Sequence, residues 1–160
     1  MLMTDLDGVC GGADPSKSYD PRVLQRAFDR AAEWDVVSFI FEPYWDLWAF
    51  RQAEIHPYDH FGWNHKKNEV SDASALTRWI KRQPAAQMIE VESAFMMMAI
   101  YKLGSIGGCR YSDRERSGRK TCEHVPFHEC IRREQEGRVR IWPEAYCEGD
   151  RGWPNGSEPG

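Results

Sequence analysis

The sequence predicts a mostly helical α+β domain, with four or five helices around a central apolar helix at 85–103 and a small two- or three-stranded sheet. Three observations carry this expectation. The stretch 85–103 has a near-continuous apolar surface that stops at Gly104, two other segments place apolar residues at three- and four-residue steps, and two short runs, 36–41 and 139–142, are β-branched and aromatic. With 160 residues, 41% of them apolar, the chain is long enough for one real core and too short for two ordinary domains. Residues 1–150 therefore read as a single globular domain, and 151–160 as a mobile tail.

The elements follow in order. Asp20 before Pro21 marks a helix start, because proline at the first helical position gives up no hydrogen bond and aspartate caps free amides. The helix over 21–34 then places Val23, Ala27, Phe28, Ala31 and Trp34 on one stripe. VVSFIF, at 36–41, is too short for a buried helix and reads as a strand ended by Glu42 and Pro43. Pro43 opens a second helix with Trp45, Leu47, Trp48 and Phe50, until Pro57 forces His56 out of helical geometry. HPYDHFGWNHKKN, at 56–68, is a loop by its Pro, Gly and Asn content. Ser71 caps a helix whose Leu76, Trp79 and Ile80 share a face and which Pro84 ends at Gln83. Beyond the central helix, in which Met96, Met97 and Met98 fill the core, come a Gly-, Ser- and Arg-rich loop at 104–121, a short helix at 126–136 and a strand at 139–142.

A net charge of −4 argues against broad attraction to nucleic acid or anionic lipid. The cations concentrate in CRYSDRERSGRK, where Arg110, Arg114, Arg116, Arg119 and Lys120 could neutralise phosphates from a flexible loop, although Asp113 and Glu115 interleave as in a solvated segment. The most apolar stretch is interrupted by Glu90, Glu92 and Lys102 and falls short of a bilayer span. MLMTDLDGV lacks the features of a secretory signal or transit peptide, so a cytoplasmic location is expected. An oxidising compartment such as the mitochondrial intermembrane space is the alternative.

The near-palindrome CEHVPFHEC, at 122–130, gathers two thiols and two imidazoles around Pro126. Zinc takes about four N or S ligands, and the set the spacing favours is Cys122, His124 and His128 completed by Cys109 or Cys147. A helix beginning at Pro126 turns Cys130 inward with Phe127 and Ile131, as a core thiol. A disulfide such as Cys109 with Cys147, and unlinked thiols, are the competing readings. In the disulfide case FHEC is faintly similar to the paired-cysteine helices of mitochondrial intermembrane-space proteins. The other three histidines lie in EIHPYDHFGWNH, where Glu54, His56, Asp59, His60 and His65 offer mixed ligands. That stretch reads as a surface loop in which Tyr58, Phe61 and Trp63 pack and the histidines meet solvent or backbone.

TDLDGV, at 4–9, resembles the first motif of haloacid dehalogenase-like phosphohydrolases. The resemblance implies Asp5 as nucleophile, Asp7 as general acid and base, and Mg2+ to neutralise phosphate. No Gly-rich phosphate loop, nucleophile elbow or HExxH occurs, so the leading expectation is a non-catalytic protein-binding or assembly subunit, such as an accessory protein of a phage or mobile element. Its partner is another protein or a second copy, and PYWDLWAF supplies the interface candidates Tyr44, Trp45, Trp48 and Phe50.

Overall fold

In the computed structural model, the described residues are 1–4, 21–42, 46–62, 64–84, 87–96 and 98–148. They form strand β1 (Leu2–Thr4), helix α1 (Pro21–Asp29), β2 (Val36–Glu42), α2 (Ala73–Arg82), β3 (Ile89–Glu90), β4 (Met98–Tyr101), α3 (His124–Glu134) and β5 (Val139–Glu148). The strands make one five-stranded sheet in the order β1-β4-β2-β5-β3. β2 and β5 run parallel, from Val36 opposite Val139 to Glu42 opposite Glu148, and the other neighbours are antiparallel.

This overturns the expectation of a mostly helical fold with four or five helices. Three α-helices and a five-stranded mixed sheet are present among the described residues. The stretch 85–103 is not a central helix, since it carries β3 and β4. The reason is burial on both faces. All four residues of β4 are buried, as are residues 36–40 of β2, so neither run has a solvent-facing polar side; the one polar residue in the buried part of β2, Ser38, donates to the Ala94 carbonyl. Such a run has no period to separate strand from helix, and only its length and β-branching favour the strand in β2. MMMAIY has one β-branched residue, and its pairing with β1 and β2 decides its state. Met96 and Met98 are buried, so they do fill the core.

The helix expected after Pro43 is also replaced. Residues 46–50 form turns, and Arg51 and Gln52 make isolated bridges to Ser93 and His56. Helix α1 gives way at Arg30 to a 3-10 turn, Ala31–Glu33, and Phe28 is 52% exposed rather than part of the stripe. In α2 the capping oxygen belongs to Asp72, which accepts from the Ala75 amide at 2.7 Å. Helix α3 starts at His124, so Pro126 sits within its first turn, where no intrahelical N–H is lost.

Two polar hubs fasten the sheet. Trp34 is buried and its Nε1 donates to the Ala27 carbonyl at 2.9 Å, which satisfies the one polar atom of a large core side chain. Asp35 accepts from the Arg138 amide and guanidinium, from Lys102 and from Ser105, and so ties the starts of β2 and β5 to the end of β4. Burial alone would raise the Asp35 carboxyl, but these donors outweigh it and hold the group below its ordinary pKa.

Candidate functional site

The turn that follows Pro57 is held by a polar cluster almost closed to water. The Arg51 guanidinium meets the Asp59 carboxylate at 2.5 Å and donates to the carbonyls of Trp48 and Phe50. Asp59 Oδ2 also accepts from Thr121 Oγ1 at 2.8 Å and from Trp48 Nε1 at 3.2 Å, while its Oδ1 accepts from the Phe61 amide. Burial lowers the Arg51 pKa, and Asp59 acts against that fall. The far side of the loop is pinned by Asn68, whose amide both accepts from the Tyr58 N–H and donates to the Tyr58 carbonyl. His56 is fully buried and donates through Nδ1 to the Val70 carbonyl at 2.7 Å, which fixes its tautomer; burial pulls its pKa down to about 4.

Among its described residues this frame exposes one aromatic ring. Phe61 is 72% exposed, and it stands edge-on to Trp48 at 5.7 Å and to His60 at 4.9 Å. The expectation that Phe61 packs is corrected, since the ring faces water, whereas His56 and His65 do meet backbone, at the carbonyls of Val70 and Gly62. Of the interface candidates from PYWDLWAF, Trp48 is half-buried under Phe61 and Phe50 is wholly buried beside His56 and Trp79. Tyr44 and Trp45 lie outside the described residues, as does Trp63.

The palindromic stretch takes a different form. Because α3 begins at His124, its buried stripe is His124, Phe127, His128 and Ile131, and the two imidazoles share a face at 5.9 Å between ring centres. Cys130 lies on the flank, where it bonds to Cys109 across 21 residues of sequence. The inward thiol at 130 is therefore corrected to a disulfide sulfur, and Cys109 pairs with Cys130 and not with Cys147. His128 is fully buried between two hydroxyls, Ser93 Oγ at 2.9 Å from Nδ1 and Tyr101 Oη at 3.0 Å from Nε2. Burial drives its pKa well below the ordinary value, so the ring is neutral and one hydroxyl donates while the other accepts. His124 stacks on Phe95 at 3.9 Å, its Nδ1 has no hydrogen-bond partner among the described residues, and burial lowers it to about 4. Cys122 is a buried free thiol pushed up to about 12. Among the described residues no three His, Cys, Asp or Glu side chains are grouped to hold a metal ion, and the side chain of Cys147 is not described.

Asp5 and Asp7 lie outside the described residues, and β1, which precedes them, is an edge strand. In the basic loop, Arg116 pairs with Glu134 and Glu129, Arg119 with Glu115, and Arg114 donates to the Gly118 carbonyl; Arg110 and Lys120 form no ion pair among the described residues. Between this loop and α3 runs a cleft of about 270 Å³ lined by Arg51, Ser93, Arg116, Glu129 and Arg133 among others. Within the described residues no helix is long and apolar enough to cross a membrane. No protein-family model matches the chain, and neither a curated protein nor a solved structure does.

Proposed function

We propose that this chain is a non-catalytic protein-binding subunit whose contact surface centres on Phe61, with Trp48 and His60 as its flanks. The observation that carries the reading is the exposure of the Phe61 ring on a turn whose backbone and Asp59 side chain are held by a buried ion pair. An exposed aromatic costs the free protein solvation, and a turn fixed in advance loses little conformational freedom when a partner covers it. The Ser93, His128 and Tyr101 array accounts for its own hydrogen bonds as a satisfied core network, which supports a structural role for it. The Cys109–Cys130 bond supports residence in an oxidising compartment over the cytoplasm.

The test is retention of a partner from native lysate by the tagged full chain and by two variants. Phe61→Ala should weaken retention at least tenfold, whereas Phe28→Ala, which removes an exposed ring on α1, should leave it unchanged. Equal retention by Phe61→Ala and the parent, or a parent that stays alone and monomeric, would sink the proposal.

A further inference from the structure

We propose that residues 106–120 form a thiol-responsive strap, riveted to α3 by the Cys109–Cys130 bond and released when a dithiol reduces it. The strap is anchored at both ends. Before it, Lys102 donates from its backbone to the Asp35 carbonyl, and Lys102 and Ser105 side chains reach the Asp35 carboxylate. After it, Thr121 is 1% exposed and hydrogen-bonds to Asp59. Between these anchors the chain buries little, since residues 107, 108, 110–114 and 116–120 are all exposed.

Most of the strap's polar contacts hold it to itself. Arg114 bridges to Lys120, the Gly118 amide donates to the Glu115 carbonyl, and Arg119 pairs with Glu115. Its non-covalent grip on the body includes Ile106 packed on the core, the Tyr111 ring stacked on Phe127 at 4.5 Å and edge-on to His124 at 5.3 Å, the Tyr111 hydroxyl bonded to Met3 Sδ and Tyr101, and Arg116 paired with Glu134 and Glu129. Tyr111 is 43% exposed and the Arg116 side chain 61%, and ion pairs at such exposure hold weakly. The disulfide is the covalent fastening of the strap, in its first third, and the half-exposed Tyr111 and Arg116 contacts hold the rest. The strap also contributes to the cleft, which Glu115, Arg116 and Ser117 line together with Val125, Glu129 and Arg133 of α3.

Reduction adds two electrons and two protons. The reductant's two thiols become a disulfide, and Cys109 and Cys130 become thiols. The Cys122 thiol is buried and pushed up to about 12, so it stays protonated and is a poor competitor for either sulfur. The released strap should uncover His124 and Phe127 and open the cleft along one side.

Hydrogen exchange of the full chain, measured oxidised, after dithiol treatment and after reoxidation, tests this. Amides of 106–120 should exchange at least tenfold faster on reduction and slow again on reoxidation, while those of β2 and α2 stay unchanged. Cys109→Ser should behave as the reduced form without any reductant; if that variant does not fold, the reversible reduction alone decides. Three results would overturn the proposal. They are both thiols alkylating before reduction, exchange in 106–120 indifferent to reduction, and exchange rising equally throughout the chain, which would make the bond a staple of the whole fold.

Discussion

Arg51 and Asp59 form an ion pair with side chains only 5% and 11% exposed, and the Asp59 carboxylate that neutralises the guanidinium also accepts the Phe61 amide. One carboxylate thus settles a buried charge and holds the backbone that carries the exposed ring. These two duties predict opposite mutational behaviour at neighbouring positions.

Asp59→Ala leaves the Arg51 guanidinium buried without its counter-charge, and the unfolding free energy should fall by about 3–5 kcal/mol. Phe61→Ala, in contrast, removes a ring that is 72% exposed and should change stability by no more than about 0.5 kcal/mol. Urea unfolding of both variants checks the pair of expectations. A cost at Phe61 equal to that at Asp59 would mean that the ring is part of the core.

Acid should weaken the fold well before its carboxylates protonate. Burial holds His56 and His124 at about 4, below the ordinary 6.5, with the Glu123 carboxylate acting against the fall at His124. The unfolded imidazoles take up protons from about pH 6.5 downward, while the folded ones refuse them until about pH 4. Unfolding therefore binds protons, and stability is full above about pH 6.5 and is lost as pH falls toward 4, at up to about 1.4 kcal/mol per pH unit for each group. His128, lowered further by complete burial, extends the loss to lower pH. A urea midpoint that stays constant between pH 7 and pH 5 would contradict this burial.

Tyr101→Phe keeps the ring and deletes one hydroxyl of the Ser93–His128–Tyr101 array. His128 Nε2 is then buried without a partner, and stability should drop by about 1–3 kcal/mol. The pH dependence should remain, because the imidazole stays buried. Urea unfolding at pH 7 and pH 5 measures both effects.

Gly137→Ala tests the end of α3. Glu136 takes a positive φ of 51°, and the chain then passes so close to the helix that a Cβ on Gly137 would meet Ile131 Cγ2 at 2.6 Å and the Ile131 carbonyl at 3.1 Å. The Gly137 amide also donates to that carbonyl. Displacing a buried isoleucine should cost about 1–3 kcal/mol, read as a lower thermal midpoint in circular dichroism.

The local signals in the chain located several elements. Pro21 begins α1, the run from Val36 is β2, α2 stops before Pro84 at Gln83, and Val139 opens β5. The proline at 126 predicts the third helix too, but starts it two residues late. That shift moved the buried stripe from His124, Phe127, His128 and Ile131 to Phe127, Cys130 and Ile131. The i, i+3, i+4, i+7 spacing of the first set was the signal that could have found it.

What the sequence by itself determined was therefore short-range: where proline, aspartate and β-branched residues start or stop an element, and that one apolar core is available. Tertiary packing alone decided that the residues before Tyr101 are a strand, since a run buried on both sides has no period and takes its state from the strands beside it. It also decided that Cys109 pairs with Cys130, whose Cα atoms lie 5.7 Å apart across 21 residues, a proximity that spacing does not encode. The contrast between Phe50, shut inside, and Phe61, turned outward, has the same origin. Both are aromatic residues flanked by turns, and which one meets water depends on the distant segments that cover Phe50 and on the Arg51–Asp59 pair that holds Phe61 out.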